Sequence, residues 1–156
     1  MSRNVFDQKA ATWDDNPRRQ EMSSRFAKEI RNRVKLTPDT QAMEFGCGTG
    51  SVSMKLYTDL DSIKMVDTSQ GMLDVVKQKI DYYQINNMSL YQGEIAELNL
   101  DADSLDLIYS LMTLHHVQDL DNLFEHFYKL LKAGGRFCIG DLETEDGSFH
   151  GGEHTD

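Results

Sequence analysis

Three glycines lie within five residues of the segment 43–50, which reads MEFGCGTG. They are Gly46, Gly48 and Gly50. Glycine lets a ligand approach the backbone closely and permits a positive φ without steric cost. A dinucleotide loop has the wider spacing G-x-G-x-x-G, and a P-loop continues into Gly-Lys-Ser or Gly-Lys-Thr, which does not follow here. The loop is therefore either a structural turn or the binding loop of a different ligand.

Two carboxylates flank the glycine loop in the sequence. Glu44 precedes the first glycine. Asp67 follows the loop at about the distance in sequence at which an acid in a nucleotide-binding α/β fold accepts hydrogen bonds from a ribose diol. Negative charge on both sides repels phosphate and attracts a cation. The pattern predicts a cationic ligand with a ribose, such as a sulfonium nucleoside that also carries an ammonium group.

Two adjacent histidines are the best candidates for proton transfer. His115 and His116 follow an apolar segment, and an imidazole titrates near neutral pH. Either ring can instead serve the loop structurally, through a hydrogen bond to the backbone, and both possibilities stay open. We expect no metal site, because no second ligand cluster lies near the histidines and Cys47 and Cys138 lie in unrelated segments.

Helix-like and strand-like segments alternate around these residues. The patterns predict strands over 41–45, 62–67, 88–92, 105–110 and 136–140. They predict helices over about 17–35 after Asn16, over 50–57, after Ser69 as far as Tyr83, and over about 120–132 before Gly134-Gly135.

This alternation is typical of βαβ units in a parallel sheet that is covered on both faces. Right-handed crossovers favour the strand order 3-2-1-4-5. Ligands of such sheets bind at the carboxyl ends of the strands, where the strand order reverses. The glycine loop follows the first strand, so it lies at this position.

Composition and charge narrow the class of protein. The chain has 156 residues, of which 39% are hydrophobic, and no apolar run approaches the ~20 residues of a membrane helix. The start, MSRNVFDQKAATWDD, lacks the apolar centre of a signal peptide, so we expect a cytoplasmic protein. The net charge of −10 disfavours nucleic acid as the main partner.

Five segments, in order, resemble the motifs of the class I S-adenosylmethionine-dependent methyltransferases. They are EFGCGTG, MVDTSQGML, YQGEIAEL, DLIYSLMTLHHV and LLKAGGRFCIGDL. The resemblance covers about 40–142 and implies a Rossmann-like, doubly wound, mainly parallel α/β sheet. FDQKAATWDDNP resembles the N-terminal cap of that family. The implied division is a helical cap over 1–36, a cofactor-binding core over 37–142 and a polar tail over 143–156.

The resemblance also implies roles for individual residues. The loop from Gly46 through Cys47 and Gly48 to Gly50 would admit the methionine part of the cofactor, and Glu44 would orient its amino group. The other implied cofactor contacts are Asp67 at the ribose, Thr68 and Met72 beside the adenosine, Glu94 and Ile95 at the adenine, and Ser110 and Leu111 at the methyl-donor end. Glu94 stands where the family more often has aspartate.

The implied activity is methyl transfer from S-adenosylmethionine to a small-molecule acceptor, with S-adenosylhomocysteine as product. In this reaction the protein positions the reactants and removes a proton where the acceptor carries one. Phe6 and Trp13 in the cap segment would close over cofactor or substrate, or fill the core. Two alternatives stay open: a module that binds the cofactor without turnover, and an NAD-dependent oxidoreductase, which the glycine spacing disfavours.

The chain differs from the family pattern after the fifth strand. Members of the family continue through another helix and a β-hairpin that complete the sheet, whereas this sequence ends at GGEHTD. We therefore expect a truncated sheet with an exposed fifth strand. A bare edge strand pairs readily with another chain, so a homodimer through this edge is predicted.

Overall fold

The structure, a computed structural model, describes residues 3–141, with side chains from Val5 onward. The predicted polar tail lies outside this range. The elements in chain order are α1 Arg3–Lys9, α2 Pro17–Arg33, β1 Gln41–Phe45, β2 Ser62–Asp67, α3 Gln70–Tyr83, β3 Met88–Gln92, β4 Leu105–Leu111, α4 Leu120–Leu130 and β5 Leu131–Gly140. A 3₁₀ helix, Ala10–Asp15, connects α1 to α2. Within the described range, no helix is long and apolar enough to span a membrane.

The five strands form one parallel sheet in the order β3-β2-β1-β4-β5, which confirms the predicted fold class and order. β1 lies at the centre, so Ala42 pairs with Ile63 of β2 on one side and with Leu107 of β4 on the other. The direction of winding reverses between β1 and β4. The carboxyl end of β1 is therefore the topological switch point, and the glycine loop begins there.

Helices cover both faces of the sheet. Because side chains alternate along a strand, Ala42 and Leu107 face a core formed with α2 and α3, while Met43 and Ile108 face a core formed with α4. The central strands are consequently buried on both sides, which explains their nearly continuous apolar sequences.

The helix caps follow the predicted chemistry. The Asn16 side chain accepts a hydrogen bond from the Arg18 N–H at the start of α2, where Pro17 is the first helical residue. Ser69 accepts from the Met72 N–H at the start of α3. α3 ends at Tyr83 as predicted, and this last side chain is 56% exposed where the chain turns at Gln84.

The predicted helix over 50–57 is wrong. Two short 3₁₀ helices occupy this segment, Ser53–Lys55 and Tyr57–Asp59. The backbone closes tighter turns there, since the Lys55 N–H bonds to the Val52 carbonyl three residues earlier. The Ser53 hydroxyl also donates a hydrogen bond to Glu44, as described below, and this bond holds the first turn against β1.

The junction of α4 and β5 also differs from the prediction. α4 ends at Leu130 rather than at 132, and β5 begins at Leu131 rather than at 136. Leu131 already pairs with Leu105, and the register then shifts before Arg136 pairs with Leu107. Gly134, with φ +83°, therefore lies in the irregular part of a strand rather than at a helix end.

Candidate functional site

The glycine loop joins β1 to the 3₁₀ segment, and its three glycines all have positive φ, of 64°, 55° and 79°. Their surroundings differ. A Cβ at Gly46 would overlap the side chain of Thr113, which follows β4, and a Cβ at Gly50 would press on Met65. A Cβ at Gly48 would meet no atom within 4 Å. Of the three glycines in this loop, only Gly48 has free space at its Cβ position.

Asp67 and Gly48 lie together, as the sequence predicted for the acid and the loop. One Asp67 carboxylate oxygen accepts the Gly48 N–H at 2.8 Å, and the other accepts the Ser69 N–H at 2.9 Å. Burial raises the pKa of Asp67, while the hydrogen bonds from these backbone groups oppose the rise. The ends of β1 and β2 are therefore joined by a carboxylate that remains half-buried at the edge of the sheet.

Glu44 lies at the carboxyl end of β1 and is only 2% exposed. Its carboxyl group accepts hydrogen bonds from the Ser53 hydroxyl at 2.6 Å and the Ser53 N–H at 3.3 Å. The Tyr109 hydroxyl of β4 lies 2.6 Å from the same Ser53 hydroxyl. Burial raises the pKa of Glu44 to about 8, even though the Ser53 hydrogen bonds act to lower it. The sequence analysis did not identify Ser53 and Tyr109, although a buried acid at a strand end requires such donors.

The N-terminal cap is attached to the start of α3. The Asp7 carboxylate of α1 accepts the Ser69 hydroxyl at 2.5 Å and the Gly71 N–H at 2.8 Å. A Cβ at Gly71 would lie 2.8 Å from the Asp7 Cα, so the missing side chain lets α1 approach α3. This contact places the cap beside Asp67.

A second attachment joins the cap to the glycine loop itself. The Asp14 carboxylate accepts the Thr49 hydroxyl at 2.5 Å and pairs with the Lys79 ammonium at 2.8 Å. Lys79 also donates to the Thr49 carbonyl at 2.7 Å. Sequence reasoning missed all three residues, because an acid in the cap and a lysine on α3 are distant in sequence and resemble surface charges.

Aromatic rings extend the cap towards the histidines. The Phe6 ring lies edge-on to the Trp13 ring and to the His116 ring, each at 5.9 Å between centroids. The Arg19 guanidinium covers the Trp13 ring at 3.6 Å. Trp13 and Phe6 are half-buried, and these ring contacts join them to each other, to Arg19 and to His116.

His115 and His116 lie in the short 3₁₀ helix Leu114–His116, which follows β4. Their ring centroids are 3.9 Å apart. His115 Nδ1 lies 2.8 Å from one Asp141 carboxylate oxygen, and the His115 N–H donates to the other at 3.2 Å. Asp141 was not a predicted site residue. The described part of the chain contains no group of three or more His, Cys, Asp or Glu that could hold a metal.

The loop between β4 and these histidines has an unusual backbone. Met112 has φ +57°, which is uncommon for a residue with a side chain, and its N–H donates to the Gly140 carbonyl at 2.6 Å. The Thr113 hydroxyl donates to the Gly46 carbonyl at 3.3 Å. The loop is therefore fixed to β5 on one side and to the glycine loop on the other.

The remaining sequence candidates lie along the same edge of the sheet, with different exposure. Met72 and Ile95 are buried, Thr68 and Leu111 are half-buried, and Glu94 is exposed. Ser110 is buried, and its hydroxyl donates to the Phe45 carbonyl at 2.9 Å. In this structure the Ser110 side chain therefore joins β4 to β1.

Comparisons with known proteins agree with this geometry. The family model Methyltransf_11, described as a methyltransferase domain, matches residues 43–139. A methyltransferase of Schizosaccharomyces pombe, named as uncharacterized, is 31% identical over 121 residues, which cover 73% of this chain and 43% of that protein. A demethylmenaquinone methyltransferase of Oceanobacillus iheyensis is 30% identical over 118 residues, covering 73% and 50%. A solved structure from Methanococcus maripaludis, described as an S-adenosyl-L-methionine-dependent methyltransferase, gives a TM-score of 0.76 at 24% identity and covers 86% of this chain and 63% of that one.

The chain belongs to the class I S-adenosylmethionine-dependent methyltransferase family, because the matched domain includes the glycine loop, Asp67 and parts of all five strands. S-adenosylmethionine is the cofactor of that family, so the NAD alternative has no further support. The chain spans about half the length of the curated relatives named above.

Proposed function

We propose that this chain binds S-adenosylmethionine at the carboxyl edge of β1 and β2 and transfers its methyl group to a small-molecule acceptor. The observation that carries the proposal is the pairing of Asp67 with Gly48, whose Cβ position faces open space. A bare backbone beside a half-buried carboxylate fits a ligand that offers a ribose diol and carries positive charge.

The cofactor contacts follow from where the candidate residues lie. Gly48 and its neighbour Cys47 line the methionine part, and Asp67 accepts the ribose hydroxyls. The remaining contacts proposed are Gly46, Gly50 and Glu44 around the methionine part, Thr68 and Met72 at the adenosine, Glu94 and Ile95 at the adenine, and Ser110 and Leu111 at the methyl-donor end. Glu44 is proposed to orient the amino group of the cofactor. Its carboxyl group is buried and accepts the Ser53 hydroxyl.

The bound cofactor supplies an electrophilic methyl group, and the chain's own residues orient the acceptor and take up its proton. His115, which is held by Asp141 and is a quarter exposed, is the proposed proton acceptor. His116 packs on Phe6 and lines the acceptor site with Trp13. A small-molecule acceptor is also consistent with the O. iheyensis relative, which is named for a quinone.

A second candidate function is cofactor binding without turnover. The chain spans about half the length of the curated relatives named above, which is compatible with this alternative. Formation of S-adenosylhomocysteine in the presence of any acceptor would exclude this alternative.

Calorimetry with S-adenosylmethionine, S-adenosylhomocysteine and NAD tests the cofactor site. We expect both sulfur nucleosides to bind and NAD not to bind. The Asp67→Asn variant should weaken the binding of both by about 1–3 kcal/mol, roughly 5-fold to 150-fold, because charged hydrogen bonds to the ribose are lost. Asp101→Asn, the same change on an exposed loop, is the matched control. Equal affinity of the two variants would contradict the ribose assignment.

Two further points belong to the proposal. We propose a cytoplasmic location, which fractionation of cells that express the chain would test, with no membrane or nucleic acid as partner. We also propose that a homodimer forms through β5, which is an edge of the sheet among the described residues and carries the exposed side chain of Ile139.

A further inference from the structure

The Asp141 carboxylate contacts His115 at two points. It lies at the residue after β5, and His115 lies shortly after β4, whose end pairs with β5 through Leu111 and Gly140. Parallel neighbouring strands bring these two carboxyl-terminal positions together, although they are 26 residues apart in sequence. The side chains of Asp141 and His115 are 13% and 25% exposed, although His115 as a whole residue is exposed, so the carboxylate is the more buried partner.

In both contacts the Asp141 carboxylate is the hydrogen-bond acceptor. One carboxylate oxygen accepts the backbone N–H of His115, and the other faces Nδ1 of the ring at 2.8 Å. An ionised carboxylate has only acceptor positions, so the ring nitrogen that faces it must carry a proton. A neutral imidazole has one protonated nitrogen, and the hydrogen bond at one nitrogen determines the state of the other. Nε2 is then left with the lone pair.

We propose that Asp141 is a positioning residue that holds His115 in the Nδ1–H tautomer, so that Nε2 accepts the proton of the methyl acceptor. This inference rests on the proposed methyl transfer and narrows its acceptors to O–H, S–H or N–H groups. As the bond from the acceptor atom to the methyl carbon forms, the S–CH₃ bond breaks and its electron pair stays on sulfur. The acceptor's proton moves to Nε2.

The proposal is tested without an acceptor by ¹⁵N NMR of the full chain with labelled histidine. Long-range proton–nitrogen spectra distinguish the two neutral tautomers, and the His115→Gln variant assigns the His115 signals among the five histidines. At about pH 8.5, above the ordinary histidine range, we expect the Nδ1–H tautomer to exceed the other by roughly tenfold, the bias that a charge-assisted hydrogen bond gives. A predominant Nε2–H tautomer in the unaltered chain would overturn the proposal, whatever the variants do.

Variants of Asp141 separate positioning from structure. Asp141→Asn has one acceptor and one donor, so it cannot accept from both His115 groups, and the tautomer ratio should fall about tenfold. Asp141→Glu, which keeps both acceptors, should restore part of the bias. Asp121→Asn, the same change at an exposed position of α4, should leave the ratio unchanged. An unchanged ratio in Asp141→Asn, with Asp121→Asn as reference, would show that Asp141 does not set the tautomer.

Calorimetry keeps this test distinct from that of the proposed function. Asp141→Asn should bind S-adenosylmethionine as the unaltered chain does, because Asp141 lies outside the proposed cofactor contacts. If the unaltered chain does not bind S-adenosylmethionine, the proposed function is refuted. The tautomer of His115 can still be measured in that case, because its measurement needs no cofactor. For acceptors that turn over, Asp141→Asn should lower kcat about tenfold or more with little change in KM, and Asp141→Glu should recover part of it; a change confined to KM would contradict the positioning role.

Discussion

Gly46 and Gly48 have nearly the same φ, yet a side chain added at each would meet different surroundings. At Gly46 a side chain would displace Thr113 and separate the β4 loop from the glycine loop. At Gly48 a side chain would extend into the space proposed for the cofactor, although its φ of 55° makes the backbone strained for any other residue. Substitution of Gly46 therefore adds a clash to the backbone strain, whereas substitution of Gly48 adds an obstacle in the proposed binding space.

Glu44 should make the stability of the chain depend on pH. Its pKa is about 8 in the folded chain against an ordinary value of 4.5. Between these values the folded chain holds a proton that the unfolded chain has lost. The free energy of unfolding should therefore decrease as pH rises through this window, by up to about 1.4 kcal/mol per pH unit for one proton, and level off above it.

Glu44→Gln tests this expectation, since the variant keeps the shape of the side chain and its acceptor for the Ser53 hydroxyl but does not titrate. Urea unfolding of both chains at several pH values between about 5 and 9 gives the measurement. The difference in stability between variant and unaltered chain should grow in favour of the variant as pH rises. A difference independent of pH would mean that Glu44 titrates normally.

The first part of the cap, α1 and the 3₁₀ helix Ala10–Asp15, is joined to the rest of the chain by polar contacts, whereas α2 packs in the apolar core. Asp7 joins this part to the start of α3, and Asp14 joins it to Thr49 and Lys79. Such contacts are weaker than an apolar core when partly exposed, so the segment can open without unfolding of the sheet.

Asp14→Asn should loosen the cap locally. The variant loses the ion pair with Lys79, and both side chains are partly exposed, so we expect a cost of about 1 kcal/mol. Amide hydrogen exchange over Ala10–Asp15 should accelerate about fivefold, while exchange in β1 and β4 stays the same. Asp15→Asn, the same change at the exposed neighbouring position, is the control. Equal exchange in the two variants would show that Asp14 does not hold the cap.

The strands and the helix caps were predictable because local patterns determine them. Short apolar segments, Asn16-Pro17 and Ser69 are short-range signals, and the structure confirms them except at the start of β5. The helix over 50–57 was predicted because the segment directly follows the glycine loop, but Ser53 is hydrogen-bonded to Glu44, and the segment forms short 3₁₀ turns instead. Local patterns contain no information about such a partner.

The candidate site, like the fold, was predictable only where local sequence patterns and the order of the strands determine it. The glycine loop and Asp67 were found because they follow adjacent strands, and a parallel sheet brings strand ends together. Asp14, Lys79 and Asp141 were missed, since their partners are set by how the cap and β5 pack. Each resembles an ordinary surface charge when only its neighbours in sequence are considered.

For the whole molecule, the β5 edge predicts self-association. Light scattering after size exclusion, over a range of concentrations, should show a dimer that increases with concentration. Ile139→Lys should shift the chain to monomer, because a charge on an edge strand opposes pairing with a second sheet. Ser89→Lys, on the opposite edge strand β3, should not do so. A monomer at every concentration in the unaltered chain would contradict the dimer.

The attachment of the cap to α3 also constrains the order of folding. Asp7 reaches Ser69 and Gly71, which are 62 and 64 residues later in the chain, and Phe6 contacts His116 still further on. Contacts between such distant residues close large loops and form late. The residues of α1 leave the ribosome well before these partners and therefore reach their final positions late. During synthesis the proposed cofactor site is incomplete until β4 has emerged. A nascent chain should therefore acquire affinity for the cofactor only when it is long enough to include β4.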